Sequence, residues 1–192
     1  MRVLLVADTT DNWPDTIATV ARAADLVLSL GGLQASDLAR LTENTDTPSY
    51  GVYGDHGVPG SLEAAGFADL SGGGIAAWTD LGPMTVLGVS GCAQHQWNPE
   101  QYAEALDEMP AADWVVTHCP PRGCNDQEDP AQSGIDALTE YVVRHKPKYL
   151  FHGHTPPEHP VRKLASTRVR SVHGWSALRL LELTRGGPVS QL

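Results

Sequence analysis

Residues Val3-Leu4-Leu5-Val6-Ala7 form an unbroken apolar run that stops at Asp8. A strand with one wet face alternates apolar and polar residues, so this run reads as a strand buried in the fold. The pattern then repeats. Pro14 is placed to open a helix, because its missing N–H would be unpaired in a first turn anyway. Ile17, Val20, Ala21 and Ala24 fall on one face of that helix. Asp25 to Leu30 is a second strand, stopped by Gly31-Gly32. Ser36 is expected to cap a short helix carrying Leu38 and Leu41. Pro48 to Tyr53 is a third strand, ending at Gly54-Asp55-His56-Gly57. This alternation predicts parallel crossover units with polar groups at the carboxyl ends of the strands, where open α/β sheets bind ligands.

The middle of the chain differs. Gly74 to Trp78 and Met84 to Val89, joined by Asp80-Leu81-Gly82-Pro83, predict a hairpin. Pro99 to Met109 is an amphipathic helix. Asp113 to Thr117 is a strand leading to His118. Ser133 is expected to cap a helix running to His145, with Pro147 after its end. Tyr149 to His152 is a strand leading to Gly153-His154. Arg168 to Val172 and Ala177 to Leu183 read as two antiparallel strands. The mixture predicts an α/β fold of two mixed sheets packed together with helices outside, a four-layer αββα sandwich.

The chain has 192 residues and shows no linker or repeat, so residues 1–192 are expected to form a single domain. A formal charge of −10 offers no polybasic footprint, and a nucleic-acid partner is not expected. Arg162, Lys163, Arg168, Arg170 and Arg179 read as the solvated edge of a sheet. No run is long enough to span a membrane. The three cysteines, Cys92, Cys119 and Cys124, do not make an even disulfide framework, which together with the absence of a signal sequence predicts a cytoplasmic setting.

Asp8, Gly31-Gly32, Asp55-His56, His118 and His154 all stand just after predicted strands. A strand end fixes a side chain, and the loop beyond it gives access. Oxygen and imidazole ligands brought together in this way suit hard or borderline divalent ions. A lone buried histidine is more often a core residue with satisfied hydrogen bonds, but five positions in order are hard to explain in that way.

With these residues in place the chain resembles the calcineurin-like metallophosphoesterase superfamily. That family carries Asp-x-His, Gly-Asp, Gly-Asn-His-Asp/Glu, a lone His, and Gly-His-x-His. Residues Val115-Val116-Thr117-His118-Cys119-Pro120-Pro121-Arg122-Gly123, Phe151-His152-Gly153-His154-Thr155 and Ser171-Val172-His173-Gly174 are similar to family members. The resemblance implies metal ligands at Asp8, Asp55, His118 and His154, and a general acid at His56. It also shows what is changed. Thr10 stands in place of the first histidine, Gly32 in place of the bridging carboxylate, Asp55 in place of asparagine, Gly57 in place of the acid's partner, and Pro156 in place of the last histidine.

The bridge is the decisive departure. Two dications about 3.5–4 Å apart repel strongly, and a shared carboxylate offsets that repulsion. A dinuclear centre is therefore not expected. Asp55, His118 and His154 are expected to hold one divalent ion (Mn, Zn or Fe), with open positions for water or phosphate. Asp11, His95, Cys119 and His173 are weaker candidates, each with an ordinary structural explanation. His152 is expected to pack against a neighbouring strand.

Two functions remain open at this level. One is a one-metal phosphomonoesterase or phosphodiesterase acting on a phosphate ester or other small phosphorylated ligand. The other is a catalytically inactive protein of the same fold, a binding or scaffold module with a protein partner.

Overall fold

The computed structural model describes residues 1–9, 13–55, 57–79, 82–90, 98–180 and 189–191. Thr10, Asp11, His56, His95 and the turn residues Asp80-Leu81 lie outside the described residues. The elements in order are β1 (Arg2–Ala7), α1 (Ile17–Ala23), β2 (Leu26–Ser29), α2 (Ala35–Thr42), β3 (Ser49–Gly51), α3 (Ser61–Ala64), β4 (Ala68–Asp69), β5 (Gly72–Thr79) and β6 (Gly82–Val89). There follow α4 (Pro99–Glu108), β7 (Trp114–Thr117), a short 3-10 turn (Pro130–Gln132), α5 (Asp136–His145), β8 (Tyr149–His152), β9 (Val161–Leu164), β10 (Thr167–Ser171), β11 (Gly174–Leu180) and β12 (Val189–Gln191).

Two mixed sheets form. The first runs β12-β11-β1-β2-β3-β4 and the second β5-β6-β7-β8-β10-β9. In the first sheet β1, β2, β3 and β4 are parallel, with β11 antiparallel against β1. In the second, β6, β7, β8 and β10 are parallel, flanked by antiparallel β5 and β9.

The continuous apolar runs now have their reason. Successive side chains of a strand point to opposite faces. Val3, Leu5 and Ala7 enter the core between the sheets, together with Trp114, Val116 and Phe151. Leu4 and Val6 point the other way, onto Ile17, Ala21, Leu38, Leu41 and Leu62 of α1, α2 and α3. Val115 and Leu150 meet Tyr102, Leu106, Leu138 and Tyr141 of α4 and α5. Helix, sheet, sheet and helix are the four expected layers. At the centre, the buried Trp114 ring meets Tyr149 and Phe151 edge-on, with centroids 5.9 and 5.5 Å apart.

Several local expectations are corrected. Ser36 lies inside the first turn of α2; Gln34 holds the cap position without a side-chain bond. Its backbone N–H instead donates to the Thr9 hydroxyl, which donates in turn to Asp37. Ser133 donates to the Pro130 carbonyl, and Ile135 is the cap residue of α5. Neither start of a helix needed the nearest serine, because a neighbouring loop packs there. By contrast, Asn98 does cap α4, in a reciprocal pair with Gln101 and with Pro99 at the first position.

The tail strands do not pair with each other: β10 lies beside β8, and β11 beside β1 in the other sheet. The other partner of β10 is β9, a strand that the charged sequence 161–164 did not suggest. Arg162 and Lys163 are exposed on this edge strand, where charge discourages further pairing. Arg179 lies on the other sheet. No described helix is long and apolar enough to cross a membrane.

Candidate metal centre

The carboxyl ends of β1, β2 and β3 meet those of β7 and β8 at one edge of the sandwich. Three bonds fix the loops there. The Asp8 carboxylate accepts the backbone N–H of His154 at 3.0 Å, joining the two sheets. The His118 carbonyl accepts the N–H of Gly153 at 3.0 Å, within the second sheet's own loops. His118 Nδ1 lies 2.8 Å from the Leu30 carbonyl at the end of β2, again across the sheets.

The third bond determines what His118 can do. A carbonyl only accepts, so Nδ1 carries the proton. Nε2 then presents its lone pair, or a second proton, to Asp55 Oδ1 at 3.0 Å. His154 is arranged in the same sense with the nitrogens exchanged. Its Nε2 donates to the Ala131 carbonyl at 2.7 Å, and its Nδ1 faces Asp55 Oδ2 at 3.7 Å. Each histidine thus has its far nitrogen fixed by a backbone acceptor and its near nitrogen turned to one carboxylate. This is how metal-ligating histidines are usually oriented. One donor atom from each of Asp55, His118 and His154 lies within 4.8 Å of the others. Two imidazoles and a carboxylate form a donor set that fits a zinc-, manganese- or iron-type ion.

The electrostatics agree. His118 is fully buried. Burial alone would lower its pKa, but the bond to Asp55, the nearby Asp8 charge and the Leu30 carbonyl outweigh that and raise it above the ordinary histidine value. His152, next along β8, shows the opposite case. Fully buried, it accepts from Asn125 at 3.1 Å and donates to the Gly153 carbonyl at 2.9 Å. Its pKa is pushed down to about 4, first by burial. It is a packed core histidine, as its strand position predicts.

Asp8 stands beside the triad, with Oδ1 3.8 Å from His118 Nε2. Its φ of +56° and the φ of +63° at His154 place both in the left-handed region. Such a conformation costs roughly 1–2 kcal/mol for a side-chain-bearing residue. It is held here by the Asp8–His154 bond and by the Asp8 N–H donating to the Gly31 carbonyl. Gly32 has a φ of +73°, and a Cβ there would run into Asp8 Oδ1 and approach the His118 ring at 2.9 Å. The space into which a carboxylate at position 32 would project is therefore filled by Asp8. Asp8, Thr9, Gly32, Gln34, Asp55, His154 and His173 line an open cleft of about 320 Å³ over the triad.

His173 lies 3.6 Å from Asp8 through Nδ1 and is half exposed in this cleft. Pro156 is exposed and has no ligating group. Cys119 is disulfide-bonded, so it offers no thiolate; Cys124 is free and buried. The carbonyls of Leu30 and Ala131 were not predicted. Backbone acceptors leave no mark in a sequence motif.

No family model matches the chain, and no curated protein matches it by sequence. The solved structures do match. TT1561 of Thermus thermophilus superposes with a TM-score of 0.64 and 13% identity, over 99% of this chain and 98% of that one. The phosphopantetheinyl hydrolase PptH of Mycobacterium tuberculosis gives 0.60 and 12%, over 90% and 89%.

The chain has the calcineurin-like metallophosphoesterase fold.

GAP50, described as the anchor in the inner membrane complex of Plasmodium, is similar at a TM-score of 0.57 and 8% identity, covering 100% of this chain and 88% of that one. Within the metallophosphoesterase fold, Asp55, His118 and His154 come from the ends of three different strands in two sheets, β3, β7 and β8.

Proposed function

We propose that the chain binds one divalent ion through Asp55, His118 and His154 and hydrolyses a phosphate ester in the cleft above them. The observation that carries this reading is the opposed fixing of the two imidazoles. Leu30 holds His118 by Nδ1, Ala131 holds His154 by Nε2, and the other ring nitrogen of each faces Asp55. A packing role would not require that convergence.

When bound, the ion would polarise a phosphoryl oxygen and lower the pKa of a water. The chain's own residues do the rest. Asp55 supplies the negative charge that offsets the cation. Asp8 holds the backbone of His154 in its left-handed conformation and keeps His173 at the cleft wall. Thr9, Gln34 and His173 provide polar groups to orient phosphate oxygens. His56, next in sequence to Asp55, is the expected proton donor to the leaving oxygen. A second ion is not part of this reading, because Gly32 offers no carboxylate and Asp8 fills that space.

The test is metal content of protein purified without chelator, paired with hydrolysis of bis(p-nitrophenyl) phosphate in Mn²⁺. One ion per chain, with ion and turnover both lost in His118→Ala, supports the reading. No metal and no turnover with any divalent ion defeats it.

A second reading is a non-catalytic binding module. The likeness to GAP50, an anchor by its description, favours it, as do the lost ligands at Thr10, Gly32 and Pro156. On that reading a protein partner binds His118→Ala as tightly as it binds the native chain.

A further inference from the structure

A second cavity has Ala131, the residue whose carbonyl holds His154, in its wall. It measures about 330 Å³, within the range of small-molecule pockets. Among the described residues three segments wall it: the first turns of α4, the loop after His118, and the 130–140 stretch that enters α5. Ala131 joins it to the candidate metal centre, since its carbonyl holds His154 while the residue itself lines the cavity. Cys119, the neighbour of His118, lines it too.

The two cavities differ in chemistry. The cleft above the triad is lined by carboxylates, imidazoles, Thr9 and Gln34. The second cavity is surfaced mainly by Pro99, Ala103, Pro130, Ala131, Ile135 and Ala137. Among the described residues its charged groups are Arg122, Asp136 and Glu140. Arg122 already lies 3.5 Å from Asp136 and 3.7 Å from Asp126, so its charge is matched. Among the described residues the remaining balance is acidic, which repels a second phosphate or a carboxylate and does not disturb a neutral group.

We infer that this cavity seats the organic half of the substrate, and that the substrate is a phosphate ester of an uncharged, mainly apolar alcohol rather than a nucleoside polyphosphate or a nucleic acid. The inference rests on the phosphate-ester reading given above. The phosphoryl group would sit over Asp55, His118 and His154, and the alcohol would pass over Ala131 into the apolar hollow. Burying each methylene there should tighten binding about fourfold until the hollow is full.

Calorimetry with methyl-, propyl- and pentylphosphonate on the full chain in Mn²⁺ tests this, with metal content measured in parallel. Affinity should rise along the series. Ala137→Phe and, separately, Ala103→Phe should abolish the rise by filling the hollow, while leaving methylphosphonate affinity and metal content unchanged. Two sites are used so that a folding defect in one variant does not decide the outcome. A bound metal with a flat series overturns this inference and leaves the metal reading intact. So does a rise that survives both substitutions. No bound metal, with a rise that Ala137→Phe removes, overturns the metal reading and keeps the pocket. No binding of any phosphonate overturns both.

Discussion

His118 and Asp55 meet through Nε2 and Oδ1 at 3.0 Å, a buried imidazole from one sheet against a carboxylate from the other. In the metal-free protein this pair favours the imidazolium, and the His118 pKa is raised accordingly. An incoming ion must displace that proton. The sign follows: below the raised pKa, protons compete with metal; above it they do not. Apparent affinity for Mn²⁺ or Zn²⁺ should therefore climb with pH through and above the ordinary histidine range, by up to about tenfold per unit. Titration calorimetry at several pH values, with buffers of different ionisation enthalpy to count released protons, measures it.

Removing the His118 imidazole should also cost stability. The Leu30 carbonyl loses its donor in a buried place, a loss of about 1–3 kcal/mol. For a chain of this length, each kcal/mol lowers Tm by roughly 2–4 °C. Thermal melts of metal-free His118→Ala should show the drop. An unchanged Tm would mean that the His118–Leu30 bond contributes nothing.

Asp8 accepts the backbone N–H of His154, and a role in orienting that histidine can be separated from a role as a second carboxylate donor beside Asp55. Asp8→Asn keeps an acceptor for the His154 N–H, and Asp8→Ala does not. The alanine variant should lose on the order of 10–100-fold in metal affinity, the effect usual for a group that orients a ligand. The asparagine variant should lose less. Equal losses in the two would assign the effect to charge alone.

Gly32 cannot be restored to an acid without a penalty. Gly32→Ala should destabilise by roughly 1–3 kcal/mol through its left-handed backbone and the collision with Asp8. Combined with Asp8→Gly, which clears the obstruction, the two costs should be less than additive. Denaturant melts of the single and double variants give the coupling directly.

His152 makes the native state sensitive to acid. Its folded pKa, about 4, lies below the unfolded value near 6.5. At pH 7 it is neutral in both states and neither gains. As pH falls from about 6.5 towards 4, only the unfolded chain takes up the proton, and stability drains by up to about 3 kcal/mol. His152→Gln should flatten that part of the stability profile. An NMR titration showing His152 protonated near pH 6 in the folded protein would contradict the assignment.

The sandwich was legible because runs such as Val3 to Ala7 and Val115-Val116 are apolar on both faces, and only a layered α/β arrangement covers both. Strand β9 was not, because Val161-Arg162-Lys163-Leu164 is an exposed edge with no buried face to impose a pattern. The pairing of β11 with β1 is set by the whole sheet and leaves no local mark. In the site, Asp8, Asp55, His118 and His154 were readable from their places after strands, and all four converge. His173 was visible only as a strand end; its approach to Asp8 depends on the β1–β11 pairing. Leu30 and Ala131 act through their carbonyls, which every residue possesses.

The β1–β11 pairing has a consequence for the order in which the molecule can be made. A strand from the start of the chain waits for one near residue 180 before its second edge is covered. Until then a very apolar ribbon, Val3 to Ala7, has one unpaired backbone edge open to other chains. Closing that edge late in synthesis carries His173 into place beside Asp8. A nascent chain halted before β11 would thus be sticky and would lack the wall of the cleft that His173 supplies.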